Sequence, residues 1–315
     1  MSGTCKARIL VIRGGALGDF VLTLPAMRLL REAFPEAHLE VLGYPHIACL
    51  VENRFYADAV RSVNERPVAA FYAKNGELDE AWRGYFGSFQ QVVSYLFDPD
   101  RIFEENLQRS GVKHYLPAFR KVTDRHAAQE WAAPLEKMAL FLEDPAARLY
   151  PSEADREAAR IWLGEERRVR WIVHPGSGSL AKNWPVAGWV SVVKRFFERV
   201  PEGELIVVSG EADALAVNTL VESFRGERIR VAHQLSLPLL AGVLVEVGCF
   251  LGHDTGVAHV AAAVGSRCVL LFGPTDPGLW APRNRGVRVL RAPQGDWSRV
   301  GPRSVWEAAQ EQFGG

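Results

Sequence analysis

Short, wholly apolar runs alternate along this chain with longer stretches whose apolar residues recur at helical spacing. Arg8-Ile-Leu-Val-Ile-Arg13 is apolar, largely β-branched, and runs into Gly14-Gly15, which predicts a buried strand entering a tight turn. Residues 19–34 carry Phe20, Leu24, Met27, Leu30 and Phe34 on one helical face, and residues 38–43 read as a second strand. The alternation returns in the second half, with strands predicted at residues 169–173, 204–209, 229–232, 248–251 and 268–272 and helical stretches between them. Between them, residues 67–134 mix short apolar pieces such as Gln91-Val-Val-Ser-Tyr95 with aromatic and charged residues and read only as more α/β. The pattern breaks at Tyr150-Pro151-Ser152-Glu153, where Ser152 can cap a helix running to about Leu163. The domains expected are therefore 1–150 and 151–315. Strands alternating with helices of this length predict parallel sheets covered on both faces, with ligands beyond the carboxyl ends of the strands.

Composition narrows the function. At 315 residues the chain exceeds what one core usually supports, so two domains of roughly 150 residues are expected. Lys plus Arg (37) balances Asp plus Glu (37), which removes the global basic field that would hold nucleic acid. Cys5, Cys49, Cys249 and Cys268 are scattered, with no metal-ligand spacing, and fit a reduced cytoplasm. Residues 1–8 have no apolar segment of the signal-peptide kind. The most apolar stretch, 235–251, contains Pro238 and Glu246 and falls short of the ~20 apolar residues of a spanning helix, leaving only attachment to a membrane surface open.

Four loops that leave strands hold the candidate chemistry. Gly14-Gly15-Ala16-Leu17-Gly18-Asp19 has the wrong glycine spacing for a dinucleotide fingerprint, and Tyr44-Pro45 stands where the acid closing the second strand would be. What it offers is a turn that lets a ligand approach the backbone, with the Asp19 carboxylate at a helix opening. Asp19 reads equally as a cap or first-turn residue and as a general base. His174-Pro-Gly-Ser177-Gly-Ser179-Leu-Ala-Lys182-Asn-Trp-Pro185 is not a Walker A loop, since Ala181 and Asn183 flank the lysine, but a Gly-Ser turn with one ammonium makes a phosphate cradle. Without that setting, Lys182 would read as a solvated surface lysine. Gly252-His-Asp254-Thr255-Gly256-Val-Ala-His259 puts a cap and small residues at a positive helix end suited to a diphosphate, with His259 near one turn on. Phe272-Gly-Pro-Thr-Asp-Pro277 reads as turn chemistry as readily as a ligand contact for Thr275 or Asp276.

Asp98-Pro-Asp100 has a D-x-D form but reads as an ordinary turn, so no metal site is expected. Trp171, Trp184 and Trp189 read as core. No nucleophile elbow or Ser-His-Asp order is visible.

Together, Arg13-Gly-Gly-Ala-Leu-Gly-Asp-Phe-Val-Leu-Thr-Leu-Pro-Ala26, His174-Pro-Gly-Ser-Gly through Lys182-Asn-Trp-Pro185, and Asp254-Thr-Gly-Val-Ala-His259 followed by Phe272-Gly-Pro-Thr-Asp-Pro277 resemble glycosyltransferase family 9, the ADP-heptose:lipopolysaccharide heptosyltransferases. Their order spans nearly the whole chain. The resemblance implies a GT-B fold: two Rossmann-like parallel-sheet domains facing across a cleft, acceptor mainly on the N-terminal side and nucleotide sugar on the C-terminal side. By the same resemblance Asp19 is the catalytic base and Gly14, Gly15 and Gly18 form the acceptor-side loop. Lys182 and the Thr255-Gly256 helix end hold the diphosphate, Asp254 and His259 border the donor, and Glu211 and Leu235 lie by the nucleoside. Ser177 and Ser179 stand where some members use threonines. No metal or cofactor is implied, the partners being a nucleotide sugar, expected to be ADP-heptose, and a glycan or glycolipid acceptor at or near the cytoplasmic face of the inner membrane. A different nucleotide sugar, a protein acceptor, or a sugar-nucleotide-binding protein without catalysis are the alternatives, and donor turnover by purified protein separates the last from an enzyme.

Overall fold

A computed structural model describes residues 6–210 and 213–314. The chain divides into two compact units, Met1–Pro145 and Ala146–Gly315. The first holds a five-stranded sheet of β1 (Arg8–Arg13), β2 (His38–Gly43), β3 (Ala59–Ser62), β4 (Gln91–Ser94) and β5 (Tyr115–Pro117). Its order is β3-β2-β1-β4-β5 and every pairing is parallel. The apolar run of β1 is the middle strand, with Val11 opposite Val41 on one side and Val93 on the other, and a strand buried on both faces needs no polar alternation.

The second unit holds six parallel strands: β6 (Arg170–His174), β7 (Glu204–Ser209), β8 (Ile229–His233), β9 (Cys249–His253), β10 (Arg267–Phe272) and β11 (Val287–Arg291), in the order β11-β10-β9-β6-β7-β8. In both sheets the chain starts in the middle, builds outward to one edge, and returns to build the other half. The order reverses between β1 and β4 in the first unit and between β6 and β9 in the second, where loops diverge and leave a crevice for ligands.

The strands β1, β2 and β7 have the predicted bounds, and β6, β8, β9 and β10 match within two residues at either end. The first helix, Leu17–Ala33, begins two residues before the predicted start. Ser152 caps the helix Glu153–Leu163 in a full capping box with Asp155. The apolar stretch 235–251 resolves into the helix Leu237–Val247, Gly248 in the left-handed conformation, and β9. That helix is apolar because it is sandwiched: Gly242 packs so tightly that a Cβ there would come within 2.5 Å of the Asp155 carbonyl oxygen. Among the described residues no helix is long and apolar enough to cross a membrane.

Candidate active site

In the second unit, the loops after β6 and β9 meet where the strand order reverses. The loop from His174 ends in Trp184, an anchor fixed at three points. Its backbone N–H donates to His253 Nε2 at 2.7 Å, its indole N–H to the Val300 carbonyl at 2.8 Å, and its ring stacks edge-on against Trp189. A Cβ on Gly188 would come 2.5 Å from that ring, so the first turn of the helix Val186–Arg199 accepts only glycine there. The three tryptophans read as core, Trp171, Trp184 and Trp189, are all buried.

Anchoring Trp184 fixes Lys182 two residues before it. The ammonium lies 2.6 Å from Asp254 Oδ2, while His259 Nε2 is 3.7 Å from the other oxygen of the same carboxylate. Lys182 is thus an oriented, part-buried cation and not a solvated one. Burial opposes ionisation of Asp254, but His259 and Lys182 outweigh it and hold the carboxyl down at about 2. Next in the chain, Thr255 caps the helix Gly256–Ala263 by accepting from the Ala258 N–H, which leaves the N–H groups of Gly256 and Val257 without an intrahelical partner. An ammonium and a helix N-terminus side by side make a place for an anion.

Behind this cluster sit two buried histidines. His253 accepts from Trp184, and burial first, then the neighbouring His174, lowers its pKa to about 3, so it stays neutral. His174 Nε2 lies 2.7 Å from Asp213 Oδ2 and its Nδ1 lies 3.3 Å from the Thr255 hydroxyl.

In the first unit, β1 ends in Arg13, and the turn to the helix Leu17–Ala33 passes through Gly15 at φ +96°, a conformation that favours glycine. Gly14 and Gly18 flank the same turn, Gly18 already inside the helix. Ala16 is the N-cap and offers no side-chain cap, so Asp19 is a first-turn residue and not the cap. Its carboxylate is 38% exposed and lies 4.0 Å from the Arg13 guanidinium. Arg13 itself is buried against Trp131, 4.4 Å from its ring, and its Nε and Nη2 have no hydrogen-bond partner among the described residues.

The structure does not bring every candidate together. Ser177 is buried and turned into its own loop, 2.7 Å from the Asn183 side-chain oxygen and 2.8 Å from the Ser179 carbonyl, while Ser179 is exposed. Leu235 is half-buried in the loop leaving β8, the edge strand two places from β6. Glu211 lies outside the described residues. Asp276 caps the short helix Pro277–Trp280, which is turn chemistry. Asp98 accepts from the N–H groups of Phe103 and Glu104 at the start of the helix Ile102–Arg109, the turn role expected of it. Among the described residues no group of three His, Cys, Asp or Glu is placed to hold a metal ion.

The family model for glycosyltransferase family 9 (heptosyltransferase) matches residues 81–301, more than half of the chain. The chain belongs to glycosyltransferase family 9. It is 23% identical over 310 residues to lipopolysaccharide heptosyltransferase 2 of Salmonella typhimurium, covering 90% of this chain and 88% of that one. Among solved structures it resembles a family 9 glycosyltransferase from Veillonella parvula, with a TM-score of 0.79, 20% identity and 97% of each chain covered. It also resembles the ADP-heptose lipopolysaccharide heptosyltransferase II of Escherichia coli, with a TM-score of 0.78, 16% identity, and 97% of this chain and 98% of that one covered. The fold is GT-B, and this family 9 enzyme is a glycosyltransferase.

Three residues to which the sequence of this family 9 chain assigns no role are prominent in its structure. Arg13, within the first motif, is the charge facing Asp19. Asp213 and His174, the latter in sequence only the start of a loop, meet at 2.7 Å. The available signal was glycine: a Cβ on Gly176 would come 2.1 Å from the Asp213 Cβ, and a glycine pressed on a carboxylate-bearing loop marks a close approach.

Proposed function

We propose that this enzyme transfers heptose from ADP-heptose to a hydroxyl of the lipopolysaccharide core, with inversion and without a metal ion. The observation that carries the reading is the Lys182–Asp254 pair beside the open N-terminus of the helix Gly256–Ala263, at the strand-order reversal of the C-terminal unit. Breaking the sugar–phosphate bond leaves charge on the diphosphate and oxocarbenium character on the sugar. Preorganised donors aimed at that charge contribute roughly 3 kcal/mol each, and an ammonium with two backbone N–H groups supplies what a metal would otherwise supply. Asp254 sets the direction of the ammonium and His259 keeps the carboxylate paired. Asp19 accepts the acceptor's proton as its oxygen attacks the anomeric carbon, and a single displacement inverts that centre. Arg13 is the cation facing the Asp19 carboxylate, 4.0 Å away. Glu211 and Leu235 are assigned to the nucleoside by family resemblance.

The donor and acceptor follow the names of the similar heptosyltransferases from Salmonella and Escherichia coli. A core glycolipid acceptor places the reaction at the cytoplasmic face of the inner membrane, with the enzyme in peripheral contact. The test is transfer by purified enzyme in EDTA, from ADP-heptose to a heptose-deficient core acceptor, with the anomeric configuration of the product read by NMR. Transfer with inversion is expected, and Asp19→Asn should reduce it about a hundredfold or more while ADP binds normally. Loss of activity in EDTA that magnesium or manganese restores would overturn the metal-independent mechanism. Wild-type turnover by Asp19→Asn would remove Asp19 as base. Mass spectrometry of glycan from cells lacking the protein should find core structures truncated before a heptose.

A further inference from the structure

We propose that Asp213 and His174 are positioning residues for the donor diphosphate: Asp213 holds the His174 proton on Nε2, and the ring's Nδ1 then accepts the Thr255 hydroxyl and locks the cap of the helix Gly256–Ala263. This rests on the reading of that helix end as the diphosphate site.

The geometry is a continuous chain. Asp213 Oδ2 lies 2.7 Å from His174 Nε2, and His174 Nδ1 lies 3.3 Å from Thr255 Oγ1, which in turn accepts from the Ala258 N–H. An ionised carboxylate only accepts, so the ring nitrogen facing it carries a proton, and in a singly protonated ring the other nitrogen is then an acceptor. The Thr255 hydroxyl then has its proton and one lone pair committed within the protein. A cap with no freedom to rotate does not compete for the N–H groups of Gly256 and Val257, which remain directed at a ligand.

Two further observations point to Asp213 as placed for this purpose. It stands at the N-cap of the helix Ala214–Ser223, the position where an aspartate ordinarily accepts from its own helix, and it makes no such bond. Its carboxylate is instead turned to His174 and to the Gly210 N–H at 2.9 Å. The residue opposite it is Gly176, where any Cβ would overlap it, so the close approach is built into both loops. Burial alone would raise the Asp213 pKa, but the hydrogen bonds from His174 and Gly210 outweigh it and hold the carboxyl below its ordinary value.

The test combines imidazole 15N NMR with ADP titration calorimetry and melting curves on the full-length protein. Wild type should show His174 as the Nε2–H tautomer at pH 7.5. In Asp213→Asn the amide keeps the Gly210 bond but presents an N–H to the ring, so the tautomer should switch to Nδ1–H. ADP affinity should fall about tenfold, equivalent to one hydrogen-bonded group. Thr255→Val should weaken ADP similarly, the double variant should be no weaker than the weaker single, and Thr255→Ser should bind as wild type does. A purely structural role would lower the melting point with additive losses. A doubly protonated wild-type ring, an unchanged tautomer in Asp213→Asn, or wild-type ADP affinity in that variant would each overturn the inference. Should Asp213→Asn fail to fold, His174→Gln and His174→Asn carry the test. Gln reaches Asp213 and loses Thr255, Asn keeps the Thr255 contact, and tighter ADP binding by Gln than by Asn would overturn the inference. Failure of wild type to bind ADP at all would sink the donor reading itself, and the tautomer measurement would still decide whether the chain of contacts exists.

Discussion

His253 has no exposed surface, and its role follows from one hydrogen bond. Its Nε2 accepts the Trp184 N–H, and a protonated ring could not accept, so acid should attack this unit through His253 first. The folded pKa of about 3 lies below the ordinary histidine value of about 6.5. On acidification the unfolded chain therefore binds the proton first, and stability present above about pH 6.5 is lost at up to roughly 1.4 kcal/mol per pH unit as the pH falls toward 3. Asp254, held at about 2 against an unfolded value near 3.9, adds a second loss that begins only below about pH 4. Urea melts from pH 8 to 2 should resolve the two steps. His253→Gln, which keeps an acceptor but cannot titrate, should flatten the pH 6.5 to 4 portion and leave the lower one, and an unflattened curve would refute the assignment. At this scale the sequence was legible wherever chemistry was local to one loop. Asp254, Thr255 and His259 could be placed by spacing along a strand exit and one helical turn. His174 and Asp213 could not, because they are 39 residues apart and meet only once the strand order puts β7 beside β6.

Among elements, legibility followed the length of the apolar run more than burial. The interior strands β1, β2, β6, β7, β9 and β10 follow from the pattern alone, as does the edge strand β8, whereas the interior strand β4, four residues within a mixed segment, reads only as more α/β. The strands β3, β5 and β11 do not follow from it, for a physical reason: they are edge strands of three to five residues, half-exposed, and sequences such as Ala59-Val-Arg-Ser62 carry neither a long apolar run nor a clean alternation. The loop 174–185 reads in sequence as a phosphate cradle, and what holds it appears only in the structure. That anchor is Trp184, and it makes a prediction about the element as a whole. Trp184→Ala should cost about 3 to 5 kcal/mol of stability from the emptied core site, and, at temperatures where the variant is still folded, should also weaken ADP by releasing Lys182. Trp184→Phe keeps most of the packing and the backbone bond to His253 while losing the indole bond to Val300, so it should cost about 1 kcal/mol and spare ADP affinity. If Trp184→Ala bound ADP as tightly as wild type at 10 °C, the loop would be held by something other than its anchor.

For the whole molecule, the division into two compact parallel-sheet units gives the donor assignment a thermodynamic form. Every group proposed to hold the diphosphate, Lys182 and the Thr255–Gly256 helix end, belongs to the C-terminal unit, and Asp19 belongs to the N-terminal one. A ligand that binds only the folded state stabilises it by about 2.7 kcal/mol at a hundred times its Kd. For a unit of this size that corresponds to a shift of roughly 5 to 10 °C in its melting point. ADP should therefore raise the melting of the C-terminal unit, followed through Trp171, Trp184, Trp189 and Trp306 in its core, and Lys182→Ala should reduce the shift at equal ADP. Asp19→Asn should leave the shift unchanged, which separates a base from a phosphate ligand. UDP and GDP provide the discriminating comparison, since they share the diphosphate and differ in the base. If they shift the melting point as far as ADP does, Lys182 and the helix end stand as a diphosphate site and the family 9 fold is untouched, but the adenine preference behind the ADP-heptose proposal fails. A shift by ADP that survives in Lys182→Ala would instead remove Lys182 and leave the donor held elsewhere in the C-terminal unit.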